Sequence, residues 1–200
     1  MLETTEFIFR FTIFVLIHSV LAMPSLKRRF GSGDGHLSQY YRLYYNIVSI
    51  IVFSWVMASF RNSDVLYVVP GVWSLALYAF QFIFLVMLFV CITQTGVAEF
   101  LGVSGFRRDS AKSQKLATKG LYQIVRHPLY LLSILFLISN PVITVRWLML
   151  TFISSAYLLF GALIEEKRLL QQFGSEYSTY QRRVPFIIPR IFATSGETEP

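Results

Sequence analysis

Two short polar islands near the C-terminal end of the sequence carry the residue types that could do chemistry. Arg126 and His127 sit in the run Gly120-Leu121-Tyr122-Gln123-Ile124-Val125-Arg126-His127-Pro128-Leu129-Tyr130. Glu165 and Glu166 open a second island that continues through Phe173-Gly174 to Val184-Pro185 and Ile188-Pro189. Arginine is a permanent cation suited to a carboxylate or phosphate, and histidine exchanges a proton near neutral pH. Adjacent carboxylates accept hydrogen bonds from hydroxyls or hold an ammonium group. A helix opening at Pro128 adds unpaired N–H groups and a partial positive charge at the same place. Anion and cation recognition side by side match a zwitterionic amino-acid group attached to a nucleoside. Ordinary interfacial charges would show the same spacing, so the residue pattern leaves both readings open. No Ser-His-Asp order is present, and His18, His36 and His127 lack zinc-ligand spacing, so neither a hydrolase nor a metal site is indicated.

The elements that must position these residues are apolar. With 54% hydrophobic and 14% charged residues, the chain falls well short of the roughly one-quarter charge of soluble domains, and mean hydropathy is +0.55. An all-α integral membrane protein is expected, with membrane lipids as its surroundings. The net charge of +7 collects in loops between apolar runs, which is the positive-inside pattern rather than a nucleic-acid footprint, and no nucleic-acid partner is expected. Cys91 is the only cysteine, which excludes an intramolecular disulfide. The glycines of Gly31-Ser32-Gly33-Asp34-Gly35 lack both a preceding strand and a following Lys-Ser/Thr, so they read as a turn.

About five transmembrane helices are expected, over 7–23, 41–60, from 65 or 71 to 93, 128–139 and 143–164. The first run follows Glu3 and Glu6 rather than a basic stretch, and Ala22-Met23-Pro24 is a poor cleavage site, so it is expected to be a retained span. The roughly 35 residues between Tyr130 and Glu165 exceed one crossing and leave little loop for two. The last two spans therefore form a tight hairpin, which returns the chain to its starting side and brings Arg126 and His127 near Glu165 and Glu166. Between Thr95 and Arg126 six basic residues face Glu99 and Asp109, marking that loop as cytoplasmic. Parity then puts the N-terminus outside, and the C-terminus and site in the cytoplasm. Three polar residues within the spans stand out. His18 is a candidate catalytic group or an interhelical hydrogen bond, Gln81 an interhelical bond, and Arg146 a snorkelling cation.

The ordered set Gly120-Leu-Tyr-x-x-Val-Arg-His-Pro-Leu-Tyr130, Glu165-Glu166, Phe173-Gly174, Tyr177, Tyr180 and Val184-Pro-x-x-x-Pro189 resembles the core of the isoprenylcysteine carboxyl methyltransferase and phospholipid methyltransferase superfamily. Upstream, His18-Ser19 with Leu21-Ala22, Tyr41-Arg42-Leu-Tyr-Tyr-Asn46 and Phe100-Leu101-Gly102 are similar to its NnrU-like branch, which includes methanethiol S-methyltransferases. The resemblance implies a methyltransferase that uses S-adenosylmethionine. By motif, Tyr122, Arg126, His127 and Tyr130 would line the cofactor from one side and Glu165 and Glu166 from the other. Residues 177–189, with Tyr177 and Tyr180, would cover it from the cytoplasmic side. Leu132 stands where many relatives have glycine and would narrow the approach. One domain over 1–191 is implied, a three-helix scaffold in 1–95 and a cofactor-binding core in 96–191, with a polar, disordered tail at 192–200. The acceptor implied is a small or membrane-soluble thiol, with His127 or His18 as base. A prenylcysteine carboxylate or phospholipid amine acceptor, and a non-enzymatic accessory or transport-related role, are the alternatives.

Overall fold

The structure is a computed structural model and describes residues 2–23, 25–26, 36–59, 63–103 and 116–190. The basic run at 27–29, the glycine turn at 31–35, Arg61 and Asn62, the charges at 107–115 and the tail 192–200 lie outside the described residues.

Among the described residues the chain is mostly helical. Helix α1 covers Leu2–Leu21, α2 His36–Met57, α3 Val72–Thr95, α4 Val97–Leu101, α5 Pro128–Ile138, α6 Val145–Phe173 and α7 Ser175–Arg183. A 3-10 turn covers Gly120–Gln123. Among the described residues three helices (α1 over Thr4–Leu21, α3 and α6) are long and apolar enough to cross a membrane. Their outward faces carry large apolar side chains such as Phe82, Phe89, Phe152 and Phe160, each more than 60% exposed, a surface that suits lipid and not water. The protein is accordingly an integral membrane protein.

The short span expected over 128–139 keeps its bounds to within a residue, while two of the expected spans differ in length or kind. Helix α5 has 11 residues, about 16 Å at 1.5 Å per residue, roughly half the hydrocarbon thickness. Helix α6 has 29 and runs nine residues past Ile164, so Glu165 and Glu166 are followed by nearly two further helical turns. The apolar residues Val65–Val68, which a span beginning at 65 would contain, form strand β1 instead. It pairs antiparallel with β2 (Val142–Thr144), and a register irregularity lies between Val65 and Tyr67. An open strand edge is not stable in hydrocarbon, so this pair belongs outside the lipid core. It sets the α2–α3 and α5–α6 connections side by side.

Contacts divide the chain into two compact units. The first holds α1, α2, α4, the strand pair and the opening turns of α6. Helix α1 packs on α2 through Phe14 and Phe53, whose rings lie 5.3 Å apart, with Phe7, Phe11 and Val56 buried. Arg10 donates to the Trp55 carbonyl at 2.8 Å and lies over its indole at 4.9 Å. Arg146 is not a snorkelling cation. It is 5% exposed and donates to the Ser59 carbonyl, while its backbone N–H donates to Ser63 Oγ at 3.2 Å. An arginine stem this close to the carbonyl beyond the end of α2 satisfies an orphan acceptor that water would otherwise fill.

The second unit holds α3, the 3-10 turn, α5, most of α6, α7 and the segment to 190. Gln81 in mid-α3 donates to the Phe136 carbonyl of α5 at 3.1 Å, the interhelical bond its position predicts. Cys91, Val125, Leu132, Ala162 and Tyr177 form its buried centre.

Candidate active site

In the second unit, Pro128 opens α5 at its first turn, with His127 in the N-cap position in a non-helical conformation. A pyrrolidine there fixes the backbone for the helix and loses no bond. Just before it, the 3-10 turn carries Tyr122 across the end of α3. Gly120 has φ 63°, a left-handed conformation that favours glycine, and the side-chain amide of Gln94 packs against the space a Cβ would take. Tyr122 then lies near the Cys91 thiol, which helps to raise its phenol.

Gly174, with φ 54°, breaks α6 from α7 and lets the chain fold back, and α7 presents Tyr177, Tyr180 and Gln181 to the end of α6. The Glu166 carboxylate is the hub on which these elements converge. Its Oε1 accepts from Arg126 Nε at 2.8 Å, His127 Nε2 at 2.9 Å and Tyr177 Oη at 2.7 Å. Its Oε2 accepts from Arg126 Nη2 at 3.0 Å and Gln181 Nε2 at 2.5 Å. The Arg126 fork is thus bidentate on one carboxylate, the strongest ion-pair geometry available to these groups. Its remaining nitrogen, Nη1, donates to the carbonyls of Gln181 at 3.1 Å and Val184 at 2.7 Å. Backbone bonds extend the clasp: Arg126 N to Pro185 O at 2.9 Å and His127 N to Phe186 O at 3.2 Å. Phe186 packs edge-on to the His127 ring at 5.0 Å.

Glu165 behaves differently from its neighbour. Its side chain is 45% exposed against 13% for Glu166. Tyr130 Oη donates to its Oε2 at 2.8 Å, and the same oxygen lies 3.7 Å from His127 Nδ1. His127 is buried between the two carboxylates. Glu166 is acceptor-only when ionised, so the proton on Nε2 is directed to it, and in the neutral ring Nδ1 carries the lone pair.

The tyrosine hydroxyls hold their protons. Burial pushes the Tyr177 phenol up, reinforced by the Glu166 carboxylate that accepts its hydrogen bond. Burial pushes Tyr180 up to about 12, and its hydroxyl donates to the Tyr122 carbonyl at 2.6 Å. Tyr122 is raised too, by burial first and then by Cys91 and Glu165. Alongside α7 lies a cleft of about 650 Å³, lined among others by Gln123, Glu176, Thr179, Tyr180 and Arg183.

The structure therefore gathers Tyr122, Arg126, His127, Tyr130, Glu165, Glu166, Tyr177 and Tyr180 in one network. His18 is placed elsewhere, in the first unit. Its Nε2 is 2.6 Å from Tyr45 Oη and its Nδ1 is 2.9 Å from Ser49 Oγ, so it bridges α1 to α2. Sequence reasoning missed Gln181, which follows Tyr177 by one helical turn and so shares its face. Glu176 and Arg183, seven apart on another face of α7, line the cleft and were not singled out by sequence reasoning either. Among the described residues no cluster of three metal-ligating side chains occurs.

The chain has recognisable relatives. The family model described as "NnrU protein" matches residues 6–184. The chain is 40% identical over 88 residues to methanethiol S-methyltransferase 2 of Bradyrhizobium diazoefficiens, covering 44% of this chain and 34% of that protein. It is 37% identical over 76 residues to the methanethiol S-methyltransferase of a Pseudomonas species, covering 38% and 29%. It is also 32% identical over 89 residues to the cobalt-zinc-cadmium resistance protein CzcN of Cupriavidus metallidurans, covering 44% and 41%. The match thus spans 29% to 41% of these relatives' length. No solved structure matches the chain at a significant level.

Proposed function

The chain belongs to the NnrU protein family, and on that footing we propose that it is an S-adenosylmethionine-dependent membrane methyltransferase that S-methylates a small or membrane-soluble thiol. What supports the reading is the convergence of the motif residues of two separated islands on a single network, with one carboxylate of the pair left half-exposed beside a histidine. The similarity to methanethiol S-methyltransferases supports the thiol.

Glu165, Tyr130 and His127 fit such a cofactor in chemistry, and the cleft alongside α7, which shares Tyr180 with the network, fits it in size. A cleft of about 650 Å³ is within the range that holds drug-sized molecules, and it offers groups of both charges. When bound, S-adenosylmethionine supplies a methyl group already activated on a sulfonium. The protein's part is then to orient the reactants and to manage one proton. Glu165 and Tyr130 form the polar pair able to meet a hydroxyl or an ammonium. Arg126, Glu166, Tyr177 and Tyr180 are engaged with one another and with backbone, so they act as the frame around the cofactor. His127, with its Nε2 proton directed to Glu166, presents Nδ1 as the base for a thiol whose ordinary pKa is about 8.5. The basic stretch between Thr95 and Arg126 supports a cytoplasmic position for this site.

Membranes containing the protein, given methyl-labelled S-adenosylmethionine and a panel of acceptors, test the reading. Labelled thioether from the small thiol supports it. Label only in a prenylcysteine ester or a methylated amine lipid would move the acceptor class, and label in none of them would favour a non-enzymatic role.

A further inference from the structure

The two groups that sequence spacing offers for reading a zwitterion, Arg126 and Glu166, are occupied by each other. All three guanidinium nitrogens of Arg126 donate within the protein, and Glu166 accepts from donors on Arg126, His127, Tyr177 and Gln181. With side chains only 11% and 13% exposed, neither is available to a ligand without breaking a buried bidentate pair. A donor molecule with an amino-acid end must find its charges elsewhere.

The cleft alongside α7 supplies them. Glu176 lies in the first turn of that helix and Arg183 in the last, both exposed and both lining the cleft. Seven residues is close to two helical turns, so the side chains project from one face, about 10 Å apart along the axis. A long arginine stem and a glutamate can converge across that distance on groups a few ångströms apart. Thr179 stands between them on the same face, and Gln123 lines the cleft from the 3-10 turn. The cleft is joined to the Glu166 network by shared residues. Tyr180 lines it while its hydroxyl bonds Tyr122 O, and Val184 lines it while its carbonyl accepts from Arg126.

We propose that this cleft takes the zwitterionic amino-acid end of the methyl donor, with Arg183 on the carboxylate, Glu176 on the ammonium and Thr179 hydrogen-bonding between them. The assignment rests on the methyltransferase reading and adds to it two charged residues outside the two sequence islands' conspicuous motifs. It makes Arg183 and Glu176 the determinants of specificity for the donor's amino-acid end, and Arg126 and Glu166 the clasp that positions α7.

The test compares two ligands by calorimetry on the full chain in lipid nanodiscs. S-adenosylhomocysteine carries the amino-acid end, and 5′-methylthioadenosine is the same nucleoside thioether without it. The native protein is expected to bind the first about tenfold or more tightly than the second. Arg183→Met and Glu176→Gln should each weaken S-adenosylhomocysteine about five- to tenfold and leave methylthioadenosine within about twofold, which collapses the discrimination. Arg182→Met, the neighbouring exposed cation outside the cleft lining, should behave as the native protein and shows that net charge is not responsible. Equal weakening of both ligands, or none, in the two cleft variants overturns the assignment alone. Native protein that binds neither ligand overturns the methyltransferase reading with it.

Discussion

Replacing Glu166 with glutamine keeps the shape of the side chain and removes its charge, and the consequence can be worked from five hydrogen bonds. Two come from Arg126 and one each from His127, Tyr177 and Gln181. Whichever way the new amide turns, its NH₂ faces a donor, so at least one contact becomes repulsive. Hydrogen bonds to charged groups contribute about 1.5–3 kcal/mol each, but these share one acceptor and do not add. The better guide is the cost of removing one partner of a buried ion pair, about 3–5 kcal/mol, because Arg126 remains buried and only partly satisfied. In a chain of this size that is roughly 6–20 °C in Tm, at about 2–4 °C per kcal/mol. Thermal unfolding in detergent measures it. Limited trypsin digestion reads the local effect, since Arg182, Arg183 and Arg190 flank residues 184–189, whose backbone Arg126 and His127 hold. The Glu166→Gln/Arg126→Met double variant should fall short of the summed single losses by about 1–3 kcal/mol, because it also removes the orphaned cation. A Glu166→Gln loss below about 0.5 kcal/mol, the scale of an unconstrained surface change, is incompatible with a saturated buried pair.

Three further outcomes are expected. Tyr122, Tyr177 and Tyr180 all bind their protons more tightly folded than unfolded, so their stabilisation is complete below the ordinary phenol value of about 10; that of Tyr180 is lost as pH rises through about 12, and those of Tyr122 and Tyr177 at higher pH still. An alkaline absorbance titration should show part of the phenolate signal appearing only with unfolding, and a single ordinary transition would contradict this. Arg146→Met should cost about 1–3 kcal/mol by equilibrium unfolding in mixed micelles, since a buried donor to the Ser59 carbonyl disappears; a snorkelling arginine would cost almost nothing. His18→Leu removes the bridge to Tyr45 and Ser49 and should cost about 0.5–2 kcal/mol by the same measurement, the range of interhelical hydrogen bonds in lipid.

What could be read in advance divides along physical lines. Long apolar runs announce α1, α3 and α6, and Pro128 marks the start of α5. Helix length is legible only where composition changes at the end. The run after Pro128 meets Ser139-Asn140-Pro141, a turn signal, so the end of the 11-residue α5 is readable, whereas α6 runs on through the charged residues after Ile164, where hydropathy alone places an end. Val65–Val68 is short, apolar and rich in β-branched valine, and such a run cannot be told from the start of a helix by periodicity. The nearness of Arg126 to Glu166 comes from counting residues across the hairpin, but their closure into a saturated pair does not. That depends on Tyr177 and Gln181 arriving from α7, which depends in turn on the break at Gly174. For the same reason the different fates of adjacent Glu165 and Glu166 are invisible in the sequence. They are set by which face of α6 meets α7.

Methyl transfer by this chain alone is the step on which the proposed function stands. Purified protein in lipid vesicles, supplied with methyl-labelled S-adenosylmethionine and methanethiol, should release labelled dimethyl sulfide and S-adenosylhomocysteine in equal amounts. Glu165→Ala should reduce both by about tenfold or more, the scale set by losing a charge-assisted contact. Product no greater than in protein-free vesicles, with this thiol and with every other acceptor of the panel, would rule out methyl transfer by the protein.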